Sequence, residues 1–295
     1  MLVVLAGGSG LIGSALADAL RADGHRVRQL VRGAASGSDT VAWDPAAGRL
    51  DPAALADADA VVCLSGAGVG DHRWTDEYKA QLRSSRLDTV GTIARTMADA
   101  GGPSVLVAAS AVGYYGDTGA REVDEDAAPG DTFLAQLCVD WEAAAEPARA
   151  AGIRVAQLRT GLVVTRHGGL LSRLSLIGKA GLGGRLGSGQ QYWPWISLDD
   201  EIRAIRHVLE GELSGPVNLT GPTPVTNAEF TRTLGRVLHR PTPFVVPAFA
   251  ARVALGEFAT EVLIGQRALP RRLTESGFTF DDRDLEACLR RELGR

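Results

Sequence analysis

Val3–Leu16 reads VVLAGGSGLIGSAL, and its glycines fit two phosphate-loop patterns at once. Gly8, Gly10 and Gly13 form G-x-G-x-x-G, whereas Gly7, Gly10 and Gly13 form the wider G-x-x-G-x-x-G. In either pattern glycine permits positive φ and lets backbone N–H groups come close to a pyrophosphate. A glycine pattern alone is a weak signal, so its surroundings decide. Leu2–Ala6 is a short apolar run that reads as a buried strand. A helical pattern runs from near Leu11 to Asp23 and stops at Gly24, and Arg26–Val31 reads as a second strand. Strand, glycine turn, helix, strand is the setting in which such a loop holds a dinucleotide. Gly13 would let the helix pack closely on the first strand.

Further along, AVVCL (Ala60–Leu64), VLVAA (Val105–Ala109) and Arg154–Leu158 are apolar runs of strand length. Between them lie long helical patterns, Lys79–Ala100 and Phe133–Ala151. Continuous apolar strands alternating with helices predict an α/β fold, a doubly wound parallel sheet covered on both faces. After about Thr165 the texture changes to HGGLLSRLSLIGKAGLGGRLGSGQQYWPW, glycine-rich with aromatics at its end, which reads as part helix and part pocket-lining loop. Asp199–Glu210 and Asn227–Leu238 read as helices, prolines 241, 243 and 247 mark a boundary, and Ala248–Arg295 looks mostly helical. The expected organisation is a dinucleotide-binding domain over 1–165, elements of a smaller substrate lobe interleaved with it over 166–240, and a mainly helical C-terminal segment over 241–295.

Composition narrows the function. The 295 residues are 45% hydrophobic with a net charge of −4, enough for a sizeable core and without a basic block for nucleic acid. No apolar run reaches the roughly 20 residues that span a bilayer, so no membrane partner is expected. Cys63, Cys138 and Cys288 are isolated, which supports neither a metal site nor a disulfide framework and suits a reducing cytoplasm. The first strand begins at Leu2, leaving no room for a signal or transit peptide. The expected partner is a small-molecule substrate.

The end of the second strand selects the dinucleotide. An acid there accepts from a ribose 2′-hydroxyl, whereas an arginine pairs with a 2′-phosphate. The segment reads VRQLVRGAAS, with no acid before Asp39 and Arg32 at the strand end. This favours NADP(H) over NAD; the competing reading is an ordinary surface arginine.

The motifs AGGSGLIGSAL, DAVVCLSGAGV, RWTDEYKAQLRSSRLDT, SAVGYYGDTG, FLAQLCVDWEAAA, LRTGLVVTRHGGLL, GLGGRLGSGQQYWPWISLDD, GPVNLTGPTPVTNAEF and GQRALP span nearly the whole chain. With them the chain resembles the extended short-chain dehydrogenase/reductases, and within these an atypical epimerase-family branch carrying a C-terminal segment of the DUF1731 type. The resemblance implies a Rossmann-type domain that binds an NADPH-type cofactor, and a smaller C-terminal lobe that closes over a substrate cleft. By position it implies that Gly7, Ser9, Gly10, Leu11, Ile12 and Gly13 hold the pyrophosphate and that Arg32 meets the 2′-phosphate. It implies further that Leu64 and Ser65 lie beside the adenosine and ribose, that Gln81 and Arg86 face the cofactor, and that Val163 sits near the nicotinamide. Homodimers are frequent in the superfamily, although no interface is legible here.

One expected feature is missing. Members of the superfamily typically carry Tyr-x-x-x-Lys on a long helix, where one turn puts the lysine beside the tyrosine and its charge lowers the phenol pKa. From about 10, reaching the phenolate at pH 7 costs roughly 4 kcal/mol without that help. The chain has only two lysines, Lys79 and Lys179, and neither has a tyrosine four residues earlier. In FLAQLCVDWEAAA the tyrosine position falls at Leu134 and the lysine position at Cys138. Ser110 remains at a strand end, with Tyr114 and Tyr115 following it, either of which could donate a proton without first ionising. Asp140 and Glu142 stand on the helix that lacks the pair and read as solvated or capping carboxylates. The branch often has histidine where Ser197 stands, so an imidazole is absent too. Two readings follow: an oxidoreductase acting on a small carbonyl or alcohol through Ser110 and Tyr114 or Tyr115, or a non-catalytic NADPH-binding sensor. The epimerase label asks for a base that the residues do not offer.

Overall fold

The computed structural model describes residues 1–295. In chain order the elements begin with β1 (Leu2–Ala6), α1 (Leu11–Ala22), β2 (Arg26–Val31), β3 (Thr40–Ala42), β4 (Ala60–Cys63), α2 (Asp76–Ala100) and β5 (Val105–Ala111). They continue with β6 (Glu122–Val123), α3 (Phe133–Ala143), α4 (Glu146–Ala150), β7 (Arg154–Thr160), β8 (Leu162–Val164), α5 (Gly169–Lys179), β9 (Gly184–Leu186), β10 (Tyr192–Trp193), β11 (Trp195–Ser197), α6 (Leu198–Glu210) and β12 (Gly215–Leu219). The last are β13 (Val225–Thr226), α7 (Asn227–Leu238), β14 (Phe244–Val246), α8 (Ala248–Leu255), α9 (Ala259–Leu263), β15 (Arg267–Ala268), α10 (Arg271–Glu275) and α11 (Leu285–Leu293).

The chain forms two compact units. The first comprises Met1–Ser110, Leu137–Leu158 and Ile205–Val217; the second comprises Ala111–Gln136, Arg159–Ala204 and Asn218–Arg295. The chain leaves the first unit at Ser110, Leu158 and Val217, each near the carboxyl end of a strand.

A seven-stranded sheet in the order β12-β7-β5-β4-β1-β2-β3 organises the first unit. The pairs β1–β2, β1–β4, β2–β3 and β4–β5 are parallel. This is the expected α/β architecture, a Rossmann-type doubly wound sheet. Strands β1 and β4 are buried throughout because helices cover both faces. Val4, Val61 and Leu106 of the sheet pack with Ile93 and Met97 of α2 and Trp141 of α3 in one core. Each such side chain contributes about 1.5–3 kcal/mol on burial. The strand order reverses between β1 and β4, and ligands of open α/β sheets bind outside the carboxyl ends at that switch point.

Two helix boundaries differ from the sequence pattern for local reasons. Helix α2 starts at Asp76, because the Thr75 side chain accepts from the Tyr78 N–H and the acids Asp76 and Glu77 suit the positive end of the helix. The single pattern over Phe133–Ala151 is two helices, since Pro147 enters the first turn of α4 and offers no N–H to continue α3.

The second unit packs Trp195 of β11 with Phe230, Leu234 and Val237 of α7 and Leu285 and Leu289 of α11. Short strand pairs frame it: β8–β11, β9–β14 and β6–β15 are parallel and β10–β13 antiparallel. Ser197, at the position where the branch often has histidine, puts its hydroxyl on the Asp200 N–H at 3.2 Å and so caps α6. No helix is long and apolar enough to cross a membrane.

Candidate functional site

After β1 the chain turns at Gly7, whose φ is +88°, and the Gly10 N–H donates to the Gly7 carbonyl at 3.0 Å. A Cβ on Gly7 would lie 2.7 Å from the Leu64 carbonyl carbon and 2.9 Å from the Ser65 nitrogen. One on Gly13 would lie 2.2 Å from the Gly7 carbonyl oxygen. One on Gly8 would meet only the Gln29 side chain, which can move aside. Backbone crowding therefore demands glycine at the two ends of the wider pattern, and Gly8 is incidental to it. Gly10 is the N-cap of α1 and no side chain caps that helix. The first-turn N–H groups of Leu11, Ile12 and Gly13 are thus left to an outside acceptor, with the helix dipole behind them.

The loop opens on a cavity of about 780 Å³ at the switch point of the sheet. Of the residues expected from the sequence, Gly7, Ser9, Gly10, Arg32, Leu64, Ser65 and Gln81 line it. Arg32 is exposed at the end of β2, has no ion-pair partner, and also borders an adjacent cavity of about 650 Å³. A glycine cradle, an uncapped helix N-terminus and an unpaired guanidinium fit a dinucleotide with an extra phosphate. Trp43, Asp44 and Asp88 also line the cavity and escaped the sequence reading. Trp43 and Asp44 follow β3, a strand of three residues, too short to show a periodicity.

Arg86 does not line the cavity but stands directly behind it. Its guanidinium carbon would lie 3.3 Å from a Cβ on Gly66, a lining residue, and sits 4.9 Å from the centre of the Trp141 ring. The residue is 8% exposed, its one hydrogen bond goes to the Leu82 carbonyl, and no carboxylate neutralises it. Burial pushes its pKa below the usual guanidinium value. An ordinary surface ion pair is thereby excluded, and a buried cation without a counter-ion costs stability.

Ser110 lies at the carboxyl end of β5. Cys63 of β4 pairs with Ala108, so Ser110 is two residues past that level, at the sheet edge that carries Leu64 and Ser65. It is 4% exposed, and its hydroxyl donates to Glu142 Oε1 at 2.7 Å. The neighbouring acid Asp140 is ion-paired with Arg83.

The two tyrosines separate clearly. Tyr115 is buried; its hydroxyl donates to Asn218 Oδ1 at 2.7 Å and accepts from Arg159 Nη1 at 3.1 Å. Burial pushes its phenol up to about 12. The Tyr115 hydroxyl is thus engaged by protein partners on both its donor and acceptor sides. Tyr114 is half-buried, with the Arg159 guanidinium carbon 3.4 Å from its ring centre and the Tyr115 ring edge-on at 5.4 Å. Its hydroxyl has no protein partner. Leu134, at the position of the absent tyrosine, packs toward Gly113 of the same loop, and Cys138 is buried. Val163 lies in β8 of the second unit, paired with Ile196 of β11. The aromatics that close the glycine-rich stretch belong to that unit's core: Trp195 is fully buried and Trp193 packs on Phe230.

Residues 3–219 match the model of the NAD dependent epimerase/dehydratase family. The chain belongs to that family. Residues 246–292 match a second model, a domain of unknown function (DUF1731), which runs from α8 into α11. An epimerase family protein of Mycobacterium bovis is 52% identical over 280 residues, 94% of this chain and 93% of the relative. The epimerase family protein SDR39U1 of Bos taurus is 36% identical over 299 residues, 98% of this chain and 99% of its own. The crystal structure of human epimerase family protein SDR39U1 (isoform2) with NADPH is similar over all of both chains, with a TM-score of 0.92 and 33% identity. Family and extended short-chain dehydrogenase/reductase fold thus agree with the resemblance read from the motifs.

Proposed function

We propose that this epimerase-family chain is an NADP(H)-dependent oxidoreductase acting on a small carbonyl or alcohol in a reducing cytoplasm. The carrying observation is the cavity at the switch point, with its glycine cradle, uncapped helix and unpaired Arg32. The similarity to a protein solved with NADPH supports the same cofactor. The N–H groups of α1 and the Gly7–Gly13 loop would hold the pyrophosphate, Arg32 the 2′-phosphate, and Leu64, Ser65 and Gln81 the adenosine side. Arg86 would place its uncompensated charge toward the bound anion. When bound, NADP(H) supplies or accepts a hydride. Ser110 would hydrogen-bond the substrate oxygen, and Tyr114 is a candidate neutral proton donor.

Two measurements bear on the cofactor. Arg32→Ala is expected to weaken NADPH binding about 10- to 100-fold while leaving NADH binding unchanged, as loss of one charge-assisted contact dictates. Equal loss for both cofactors in a fluorescence titration would contradict the assignment. Arg86→Met is expected to raise the unfolding midpoint of the unliganded protein and to weaken NADPH binding. Removing an unpaired buried cation stabilises by about 1–3 kcal/mol, less the stacking on Trp141. A lower midpoint with unchanged affinity would make Arg86 a structural residue.

A second reading is favoured by Leu134 and Cys138, which leave no acid–base pair on α3. The chain would then be a sensor that binds NADPH without turnover. NADPH oxidation against a panel of carbonyls separates the two: turnover supports the enzyme, whereas tight binding with silence across the panel supports the sensor.

A further inference from the structure

A part-buried hydrogen bond between Ser110 and Glu142 joins the serine to the helix where the tyrosine and lysine are absent. Leu134, Cys138 and Glu142 are spaced i, i+4 and i+8, so they share one face of α3. The carboxylate thus stands one turn beyond the lysine position on the face that would have carried the pair. Its reach to Ser110 is short and charge-assisted, 2.7 Å from Oγ to Oε1. Ser110 has one proton, which it gives to Glu142, leaving its oxygen lone pairs as acceptors.

We infer that Ser110 and Glu142 form a proton relay that replaces the missing Tyr-x-x-x-Lys pair, with Glu142 as its terminal base. The inference rests on the oxidoreductase reading. In alcohol oxidation the substrate O–H bond breaks and its proton passes to Ser110 Oγ as the Ser110 proton passes to Glu142. The substrate C–H bond breaks at the same time, and its hydrogen leaves with the electron pair as hydride to the oxidised nicotinamide dinucleotide named above. Glu142 ends protonated, Ser110 is restored and the product is the carbonyl. Carbonyl reduction runs the same transfers backward. Glu142 is only half-buried, so it exchanges its proton with solvent. Burial removes Ser110 from bulk water, which keeps its proton transfer directed at the carboxylate. Charged groups in contact with this part of α3 include Arg83 of α2, paired with Asp140, Arg86 of α2, over the Trp141 ring, and Arg149 of α4, which donates to the Glu142 carbonyl.

The test begins on the unliganded protein. Infrared difference spectra of wild type minus Glu142→Gln, taken across pH, isolate the Glu142 carboxyl. Ser110→Ala is expected to shift the carboxylate stretching band, because the carboxylate loses its hydrogen-bond donor; an unmoved band overturns the relay. In turnover, Glu142→Gln keeps an oxygen that accepts from Ser110, so a purely structural role predicts no loss. The relay predicts a 10²- to 10³-fold fall in kcat with unchanged NADPH affinity. Ser110→Ala and the double variant should fall to the same level. Wild-type kinetics in Glu142→Gln overturn the relay alone, whereas a wild type silent on the whole carbonyl panel overturns the oxidoreductase reading and the relay with it.

Discussion

Glu201→Gln is expected to make the protein more stable than wild type in mildly alkaline solution and nearly equal to it near pH 4.5. Glu201 is in the first turn of α6, fully buried. Oε1 accepts from the Thr160 hydroxyl at 2.9 Å, and Oε2 has no partner. No cation offsets the burial, which pushes its carboxyl from 4.5 up to about 8. The unfolded chain releases this proton near 4.5 and the folded one only near 8. Stability from this group is therefore complete below about pH 4.5 and is lost as pH rises through about 8. Over that window the loss is up to about 4–5 kcal/mol. Glutamine imitates the neutral acid and cannot ionise, so the variant escapes the loss. Urea denaturation at pH 4.5, 7 and 9 should give two curves that diverge with pH; parallel curves would mean that Glu201 is ionised in the fold.

The same residue shows where sequence reading stops. Glu201 follows Asp199 and Asp200 at the start of α6, and three acids in a first turn look like solvated partners of the helix dipole. Asp200 is instead buried, accepting from the N–H groups of Asp281 and Asp282 and pairing with Arg203, and Glu201 is buried without a cation. Burial of an acid depends on what packs over it, and the partners come from chain 81 and 82 residues away for Asp200 and 41 residues away for Glu201. The β1–α1–β2 unit was legible because each of its parts is local: an apolar run, a glycine turn, an amphipathic helix. Helix α7 was legible to the residue because Thr226 and Glu229 sit at capping-box spacing before an apolar stripe. The pairs β8–β11 and β9–β14 were not, since two strands of three residues carry too little pattern for a period of two to register. In the site, the cofactor-facing glycines were readable from spacing. The partnership of Ser110 with Glu142 was not, because 32 residues separate them and only the packing of α3 beside β5 brings them together.

Gly13→Ala carries the other large expected effect, and it follows from the loop with which the chain begins. The added Cβ would sit 2.2 Å from the Gly7 carbonyl oxygen and 2.9 Å from its carbonyl carbon. Both are backbone atoms, so no side chain can turn aside to make room. Nor can Gly7 retreat: its own Cα hydrogen faces Leu64 and Ser65, where even a Cβ would find backbone at 2.7 Å. The clash must be relieved by moving α1 away from β1 or by opening the Gly7–Gly10 turn. Moving α1 weakens the packing of Leu16 and Leu20, both fully buried, and cores give up about 1–3 kcal/mol for such overpacking. Opening the turn breaks the Gly10–Gly7 hydrogen bond and re-aims the first-turn N–H groups that make the helix end a phosphate site. Helix propensity alone would favour alanine by about 1 kcal/mol, so the sign of the effect discriminates sharply. The variant is expected to lose 2 kcal/mol or more of stability (about) and at least about 100-fold in NADPH affinity, read by urea denaturation and fluorescence titration. Gly8→Ala is the matched control: its Cβ would displace only the Gln29 side chain, and both quantities should stay close to wild type. A Gly13→Ala protein that binds NADPH as wild type does would mean that the backbone of the loop adapts freely, and that its cofactor specificity resides in side chains such as Arg32 rather than in the glycine spacing.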